Sequence, residues 1–275
     1  MKSLRVLLSL ALAPALSTCR GVEGDVLRTQ PDMSEPDGGT VRPRPNPLST
    51  WQIQLSGALV TSLDVEVYTA DLDTPNAKIE DLRGARRIVL CYFSAGTREA
   101  FRSDASEFPV ESLGSQLSNY PNERWVDIRE ATVRAIMRAR VERAAEVGCD
   151  GIHPSGLAAF LEDTGLALGR ADQLEYNRWL SQEAHSRGLS IGLVEGDLSL
   201  TQEQVADFDW VVVWNCVDSG CPTAAPFVSV GKPAFVIEYG DAERAAEVCP
   251  RASALKLAAV VKRDANLDAF RAGCP

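Results

Sequence analysis

Residues 130–154 read EATVRAIMRARVERAAEVGCDGIHP. Val133, Ile136, Met137, Val141, Ala144 and Ala145 recur at the three- and four-residue intervals that put side chains on one helical face. Gly148 follows as a carboxyl cap, and Gly151–Pro154 then opens a short strand. A glycine-capped helix feeding directly into a short strand is the second half of a parallel βα unit.

The same alternation runs outward in both directions. Strand candidates are Val65–Ala70, Ile88–Ser94, Trp125–Ile128, Gly151–Pro154, Ser190–Glu195, Trp210–Asn215, Ala234–Tyr239 and Leu257–Lys262. Helix candidates include Glu130–Val147, Ala171–Arg187 ending at Gly188, and one opening at Thr201, where Thr201 and Gln204 have capping-box spacing. Eight strands, each leading to a helix or loop, predict an α/β fold, a single (β/α)8 barrel of the TIM type over residues 51–275. The least regular crossovers are 97–124 and 217–233. A doubly wound open sheet is the alternative. No G-x-G-x-x-G follows the first strand, so no dinucleotide site or other cofactor is expected.

The charge balance narrows the partners. With 28 Lys and Arg against 38 Asp and Glu the net charge is −10, and no basic run exceeds two residues, so a nucleic-acid partner is excluded. No apolar stretch reaches the roughly 18 residues of a membrane span. Lys2 and Arg5 precede the apolar run Val6–Ala13, the order of a secretory signal, here residues 1–18. Leu16-Ser17-Thr18-Cys19 resembles the lipobox of bacterial lipoproteins, although Thr18 departs from the usual small residue. The chain is therefore expected to be exported, either as a bacterial cell-envelope lipoprotein anchored at Cys19, its only membrane contact, or as a secreted protein that keeps Cys19 as a thiol. Residues 19–50, rich in Pro, Gly and polar residues without period, read as a flexible linker.

Six further cysteines, Cys91, Cys149, Cys216, Cys221, Cys249 and Cys274, suit three disulfides in an exported chain, with fifteen connectivities open. The short spacing suggests Cys216 with Cys221. Cys249 with Cys274 would pin the carboxyl-terminal helix, and elimination leaves Cys91 with Cys149. Buried free thiols are the alternative for that last pair. Zinc is not expected, because no Cys pair has C-x2-4-C spacing and there are two His.

In a barrel of this kind, function belongs at the carboxyl ends of the strands. Those positions hold Asp71, Asp73, Ser94, Asp127, Arg129, His153, Ser155, Glu195, Asp197, Trp214, Asn215, Glu238, Tyr239, Lys262 and Asp264. Carboxylates beside aromatic rings suit a sugar site, where acids accept hydroxyl or ammonium hydrogen bonds and rings stack on pyranose faces. About half of the acids are expected to cap helices instead.

Several segments together resemble the glycoside hydrolases of family 114, the endo-α-1,4-polygalactosaminidase-like barrels. They are Trp51–Gly57, Cys91–Gly96, Trp125–Arg129, Gly148–Ile152, Tyr176–Leu180 continuing to Ala184-His185, Gly188–Leu193 and Gly231–Pro233. The resemblance implies a (β/α)8 barrel directed at glycosidic bonds of an amino-sugar polysaccharide. Where the family continues Gly-Cys-Asp-Gly with an acid, a Pro, a second acid and an Asn, this chain has His153-Pro154-Ser155-Gly156. Where the family has Lys-Asn after Gly192-Leu193, Val194-Glu195 stand here. Where it has Asn-Glu-Gln before a Cys, Val213-Trp214-Asn215 stand here. The positions corresponding to the catalytic Asp and Glu are thus Ser155 and Trp214, neither of which can act as a carboxyl acid or carboxylate base.

Two readings follow. In one, hydrolysis survives on displaced groups, with Glu195, Glu238 and His153 as catalytic candidates. In the other, the barrel binds a cell-surface or exopolysaccharide glycan without cleaving it. Binding candidates are Asp71, Asp73, Tyr92, Ser94, Asp127, Arg129, Asp150, Trp214 and Tyr239, whose acidic cleft would attract a cationic amino-sugar polymer. A surface-anchored scaffold without a ligand is the third possibility.

Overall fold

A computed structural model of the chain describes residues 42–194 and 197–274. The signal segment 1–18, Cys19, residues 20–41 of the linker and Glu195 lie outside the described residues.

Strands β1 (Trp51–Gln54), β2 (Val67–Asp71) and β3 (Ile88–Ser94) run parallel. Helix α1 (Asn76–Gly84) connects the last two. A small antiparallel sheet follows, made of β4 (Thr97–Glu99), β5 (Leu113–Gln116) and the central β6 (Glu123–Val126). Helix α2 (Ala131–Glu146) then leads to β7 (Gly151–Ser155), which pairs in parallel with β3. After α3 (Arg170–Ser186) come β8 (Ser190–Val194), α4 (Leu198–Gln204) and β9 (Trp210–Trp214). The chain ends with α5 (Ala225–Ser229), β10 (Ala234–Tyr239), α6 (Ala242–Ala254), β11 (Ala258–Lys262) and a short antiparallel β12 (Ala272–Gly273). The eight parallel strands, with β12 added, form a nearly closed barrel of the TIM type.

The count of eight was right with one member exchanged. Trp125–Ile128 is not a barrel strand; its first residues belong to β6, in the small sheet that fills the β3–β7 crossover. Its alternating pattern before a helix mimics a βα unit. The missing barrel strand is β1, whose Gln52 and Gln54 disguise a fully buried run. Helix α4 starts earlier than Thr201, because the Asp197 carboxylate accepts from the Leu200 amide and caps it. The packed chain also begins before Trp51: Pro45 and Ser49 are buried, and Arg44 reaches Asp209 at 3.4 Å.

Period-two alternation sorts the barrel side chains. Trp51, Val67, Leu90, Trp210, Val212, Phe235 and Val260 pack together, with the Trp51 and Phe235 rings 4.7 Å apart. Trp210 needs glycine neighbours: a Cβ on Gly192 would lie 2.1 Å from its indole nitrogen, and one on Gly151 2.9 Å from its ring. The opposite strand faces pack on the helices through Tyr68, Val89, Phe93, Ile152, Ile191, Val211 and Val236.

No ladder joins β11 to β1; side chains close this seam. The Lys262 ammonium donates to Gln52 Oε1, Ile53 O and Asp268 O at 3.2, 2.9 and 2.6 Å, and the Trp51 indole donates to Ala258 O at 3.0 Å. Burial pushes the Lys262 pKa down to about 8, against the pull of Asp268.

The three disulfides are Cys91–Cys149, Cys216–Cys221 and Cys249–Cys274. The first joins β3 to the turn before β7, and the last ties α6 to the chain end. Separations of 58 and 5 residues imply unequal contributions. By loop-closure entropy the first is worth about 4 kcal/mol and the second about 2 kcal/mol. Denaturant unfolding of paired Cys→Ala variants should show the Cys91–Cys149 pair costing about twice as much; equal losses would contradict this.

Candidate functional site

A cleft of about 580 Å³ opens at the carboxyl ends of the barrel strands. Its floor and walls carry Ile53 of β1, Asp71 of β2, Tyr92 and Ser94 of β3, His153 and Ser155 of β7, Trp214 of β9 and Tyr239 of β10. The segment Ala265–Leu267 closes one side. Across from it stand Thr97, Glu99, Phe101, Leu117, Tyr120, Glu123 and Trp125 of the small sheet and its connections.

At the centre, the Tyr92 hydroxyl and Ser155 Oγ share a hydrogen bond of 3.0 Å. Both lie on inward faces of adjacent strands, where Tyr92 pairs in register with His153. His153 is 1% exposed, with Nδ1 3.5 Å from Thr69 Oγ1 and Nε2 without a hydrogen-bond partner among the described residues. The mouth between β3 and β7 is set by two glycines. Gly156 has φ +76°, and a Cβ on Gly96 would lie 2.3 Å from the Gly156 carbonyl oxygen. The Ala95 amide donates to Ser155 O at 2.9 Å, while Arg140 and Tyr176 donate to the carbonyls of Ser94 and Ala95, each at 2.6 Å.

The acids of this region are heavily engaged. Asp71 receives both terminal nitrogens of Arg102, at 3.2 and 2.9 Å. Glu99, 3% exposed at its side chain, binds Arg102 and lies 3.6 Å from Arg140. Burial works against the Arg102 charge, but Glu99 and Asp71 outweigh it and hold its pKa above the ordinary value. Arg140 also binds Asp104 at 2.8 Å; burial raises that carboxyl's pKa, the guanidinium lowers it, and the net shift is downward. Glu123 accepts from Thr97 Oγ1 at 2.8 Å. Among the described residues no group of His, Cys, Asp and Glu converges as a metal site.

The structure brings together Asp71, Tyr92, Ser94, His153, Ser155, Trp214 and Tyr239 of the residues expected from sequence. It leaves others out of the cleft lining. Glu238 is one residue out of phase with the inward Ile237 and Tyr239, so its buried carboxylate faces outward, accepting from the Val217 amide at 2.9 Å and from Arg244 at 3.0 Å. Asp150 precedes β7 and so sits at the opposite, amino-terminal end of the barrel, where it accepts from the Val89 amide at 2.9 Å and burial raises its pKa. Asp73 joins Arg102 and Arg143 on the α2 side. Asp127 pairs with Arg129, whose hydrogen bonds hold the carboxyl below its usual pKa. Sequence reasoning missed Glu99, Phe101, Tyr120 and Glu123; the signal was a cluster of aromatics within an otherwise polar crossover.

Burial alone pushes the His153 pKa from 6.5 down to about 3, so the imidazole is neutral at ordinary pH. The unfolded chain takes up a proton below 6.5 that the folded protein refuses until about 3, and His153 therefore costs stability progressively as pH falls through this window. Unfolding free energies should fall more steeply with acid in the wild type than in His153→Gln, whatever their baseline difference. Parallel slopes would mean that the folded state accepts the proton.

The family model for glycoside-hydrolase family GH114 matches residues 33–275. No curated protein matches the chain in sequence. Among solved structures, Aspergillus fumigatus Ega3 in complex with galactosamine superimposes with a TM-score of 0.80 at 34% identity, covering 86% of this chain and 98% of that one. The glycoside hydrolase domain of PelA from Pseudomonas aeruginosa shares the fold, with a TM-score of 0.65 at 14% identity over 82% of this chain and 98% of its own. With nearly its whole barrel matched in order by the family model and by a relative of this similarity, the chain belongs to glycoside-hydrolase family GH114.

Proposed function

We propose that the cleft binds an amino-sugar polysaccharide, with glycosidic hydrolysis lost or strongly reduced. The observation that carries this reading is the chemistry at the ends of β7 and β9. There Ser155 is hydrogen-bonded to the Tyr92 hydroxyl and Trp214 presents an indole to the cleft. Glycoside hydrolysis in its usual form requires one protonated carboxyl for the leaving oxygen and one carboxylate as base or nucleophile. Asp71 is chelated by Arg102, Glu99 is buried against two guanidiniums, and a neutral His153 with a depressed pKa is a weak base. The galactosamine bound to Ega3 supports the ligand class. Aromatic and hydroxyl groups suit sugar binding without needing a protonation cycle.

Hydrolysis through displaced acids is the competing reading, with Glu195, which follows Val194 in the sequence, the first residue to replace. Export is part of the proposal. Three disulfides suit an oxidising compartment, and the amino-terminal charge-then-apolar order suits a secretion signal, with Cys19 as the candidate lipid-anchor position.

Two measurements test the function. Purified protein incubated with partially N-acetylated polygalactosamine should bind it while releasing few reducing ends, at a rate lower by roughly 10²-fold or more than an acid-bearing relative. Appreciable turnover in the wild type, abolished by Glu195→Gln, would establish the displaced-acid mechanism instead. The double variant Ser155→Asp, Trp214→Glu should gain hydrolysis over the wild type, and a folded double variant with no gain would contradict the assignment of those positions.

A further inference from the structure

Outside the strand-end floor, the cleft has a second wall with a different composition. Phe101 is 66% exposed and Tyr120 46% exposed, yet both line the cleft and belong to the connections of the small antiparallel sheet. We propose that Phe101 and Tyr120 form an aromatic subsite that stacks a sugar ring of a glycan chain whose neighbouring unit lies on the cleft floor. This rests on the glycan reading of the cleft and deepens it by assigning the residues that would contact a second unit of the chain.

The two rings sit on a fixed platform. Phe101 lies between Ala100, whose amide donates to Asn122 O at 2.8 Å, and Arg102, whose amide donates to Glu99 O at 3.2 Å. Tyr120 is in the β5–β6 turn, where its carbonyl accepts from the Glu123 amide at 2.9 Å. The Ala100–Asn122 bond therefore ties the two aromatic segments to each other. The Arg102 guanidinium, 5.4 Å from the Phe101 ring centre, is itself buried in the Glu99 and Asp71 ion pairs. Side chains held on such a frame lose little freedom on binding. Exposed single apolar residues are ordinary on protein surfaces, but two aromatics on linked turns facing one cleft make a continuous extension of it. A pyranose offers an apolar C–H face to such rings, and its hydroxyls, or an ammonium or acetamido group, stay in water at this exposure.

The test compares the wild type with Phe101→Ala, Tyr120→Ala and the double variant, binding galactosamine monomer and a partially N-acetylated α-1,4-galactosamine hexamer by calorimetry. The wild type should bind the hexamer more tightly than the monomer. The double variant should lose about fivefold to tenfold in hexamer affinity while monomer affinity stays within about twofold. Phe101→Trp should keep hexamer binding, which separates ring stacking from general disturbance. Wild-type hexamer binding that the alanine variants leave unchanged, or equal losses for both ligands, would overturn the subsite alone. A wild type that binds neither ligand would overturn the subsite together with the glycan reading.

Discussion

Glu99 holds the mouth of this barrel together. Its buried carboxylate lies between Arg102 and Arg140, whose side chains are 3% and 4% exposed, and a lone charge in such a place would cost several kcal/mol. The cost is offset because Asp71, Asp73 and Asp104 complete the set around the two guanidiniums. Arg140 belongs to α2 and also holds the Ser94 carbonyl, so the cluster joins the small sheet, the end of β3 and a barrel helix. Two properties of the cleft depend on it. The small sheet is fixed over one side of the opening, and Asp71 is engaged by Arg102 instead of standing as an isolated acid.

Below that mouth the barrel interior has two storeys with different chemistry. The lower one is apolar and tightly filled around Trp210, for which Gly151 and Gly192 leave room. The upper one continues the same inward faces with Thr69, Tyr92, His153, Ser155, Trp214 and Tyr239. A parallel barrel has this gradient because its lower core must exclude water while its strand ends open to solvent. The seam between β11 and β1, closed by side chains instead of a ladder, follows the same division. Lys262 satisfies three acceptors there at once, something an aliphatic residue would leave undone.

Much of this was legible in the chain. Helical periodicity located α2 and α3 to within a residue or so. The even cysteine count left fifteen connectivities open; the short spacing of Cys216 and Cys221, a pinned carboxyl-terminal helix and elimination pointed to the three pairs found, where free thiols had been the alternative for Cys91 and Cys149. Strand positions that matched the period-two inward face, such as His153, Ser155 and Trp214, reached the cleft. Failures came where pattern and topology part company. Trp125–Ile128 alternates like a barrel strand but pairs antiparallel outside it, whereas β1 carries buried glutamines on the face opposite Trp51 and Ile53, and their polarity hides its burial. Glu238 occupies a strand end but on the wrong phase of the pleat, and Asp150 belongs to the wrong end of its strand. The small sheet was unreadable because its contacts are long-range: Glu99 meets Arg140 across an entire crossover, and no local period records that.

On the proposed reading, Ser155 and Trp214 standing where an acid pair would act also change the energetics of the floor. A carboxylate in a partly dehydrated cleft needs donors or water to remain charged, and a pair of them raises each other's proton affinity, which is how such sites gain an acid and a base. Ser155 instead satisfies the Tyr92 hydroxyl directly, and Trp214 supplies surface with no charge to solvate. His153 follows the same logic, since its burial favours the uncharged form and leaves Nε2 available to one hydrogen bond. Such groups suit the recognition of shape and hydroxyls without cycling protons. On the proposed reading, binding and bond cleavage therefore rest on separable residues in this cleft: the frame around Glu99 and the aromatic walls would hold a ligand whether or not an acid pair is present.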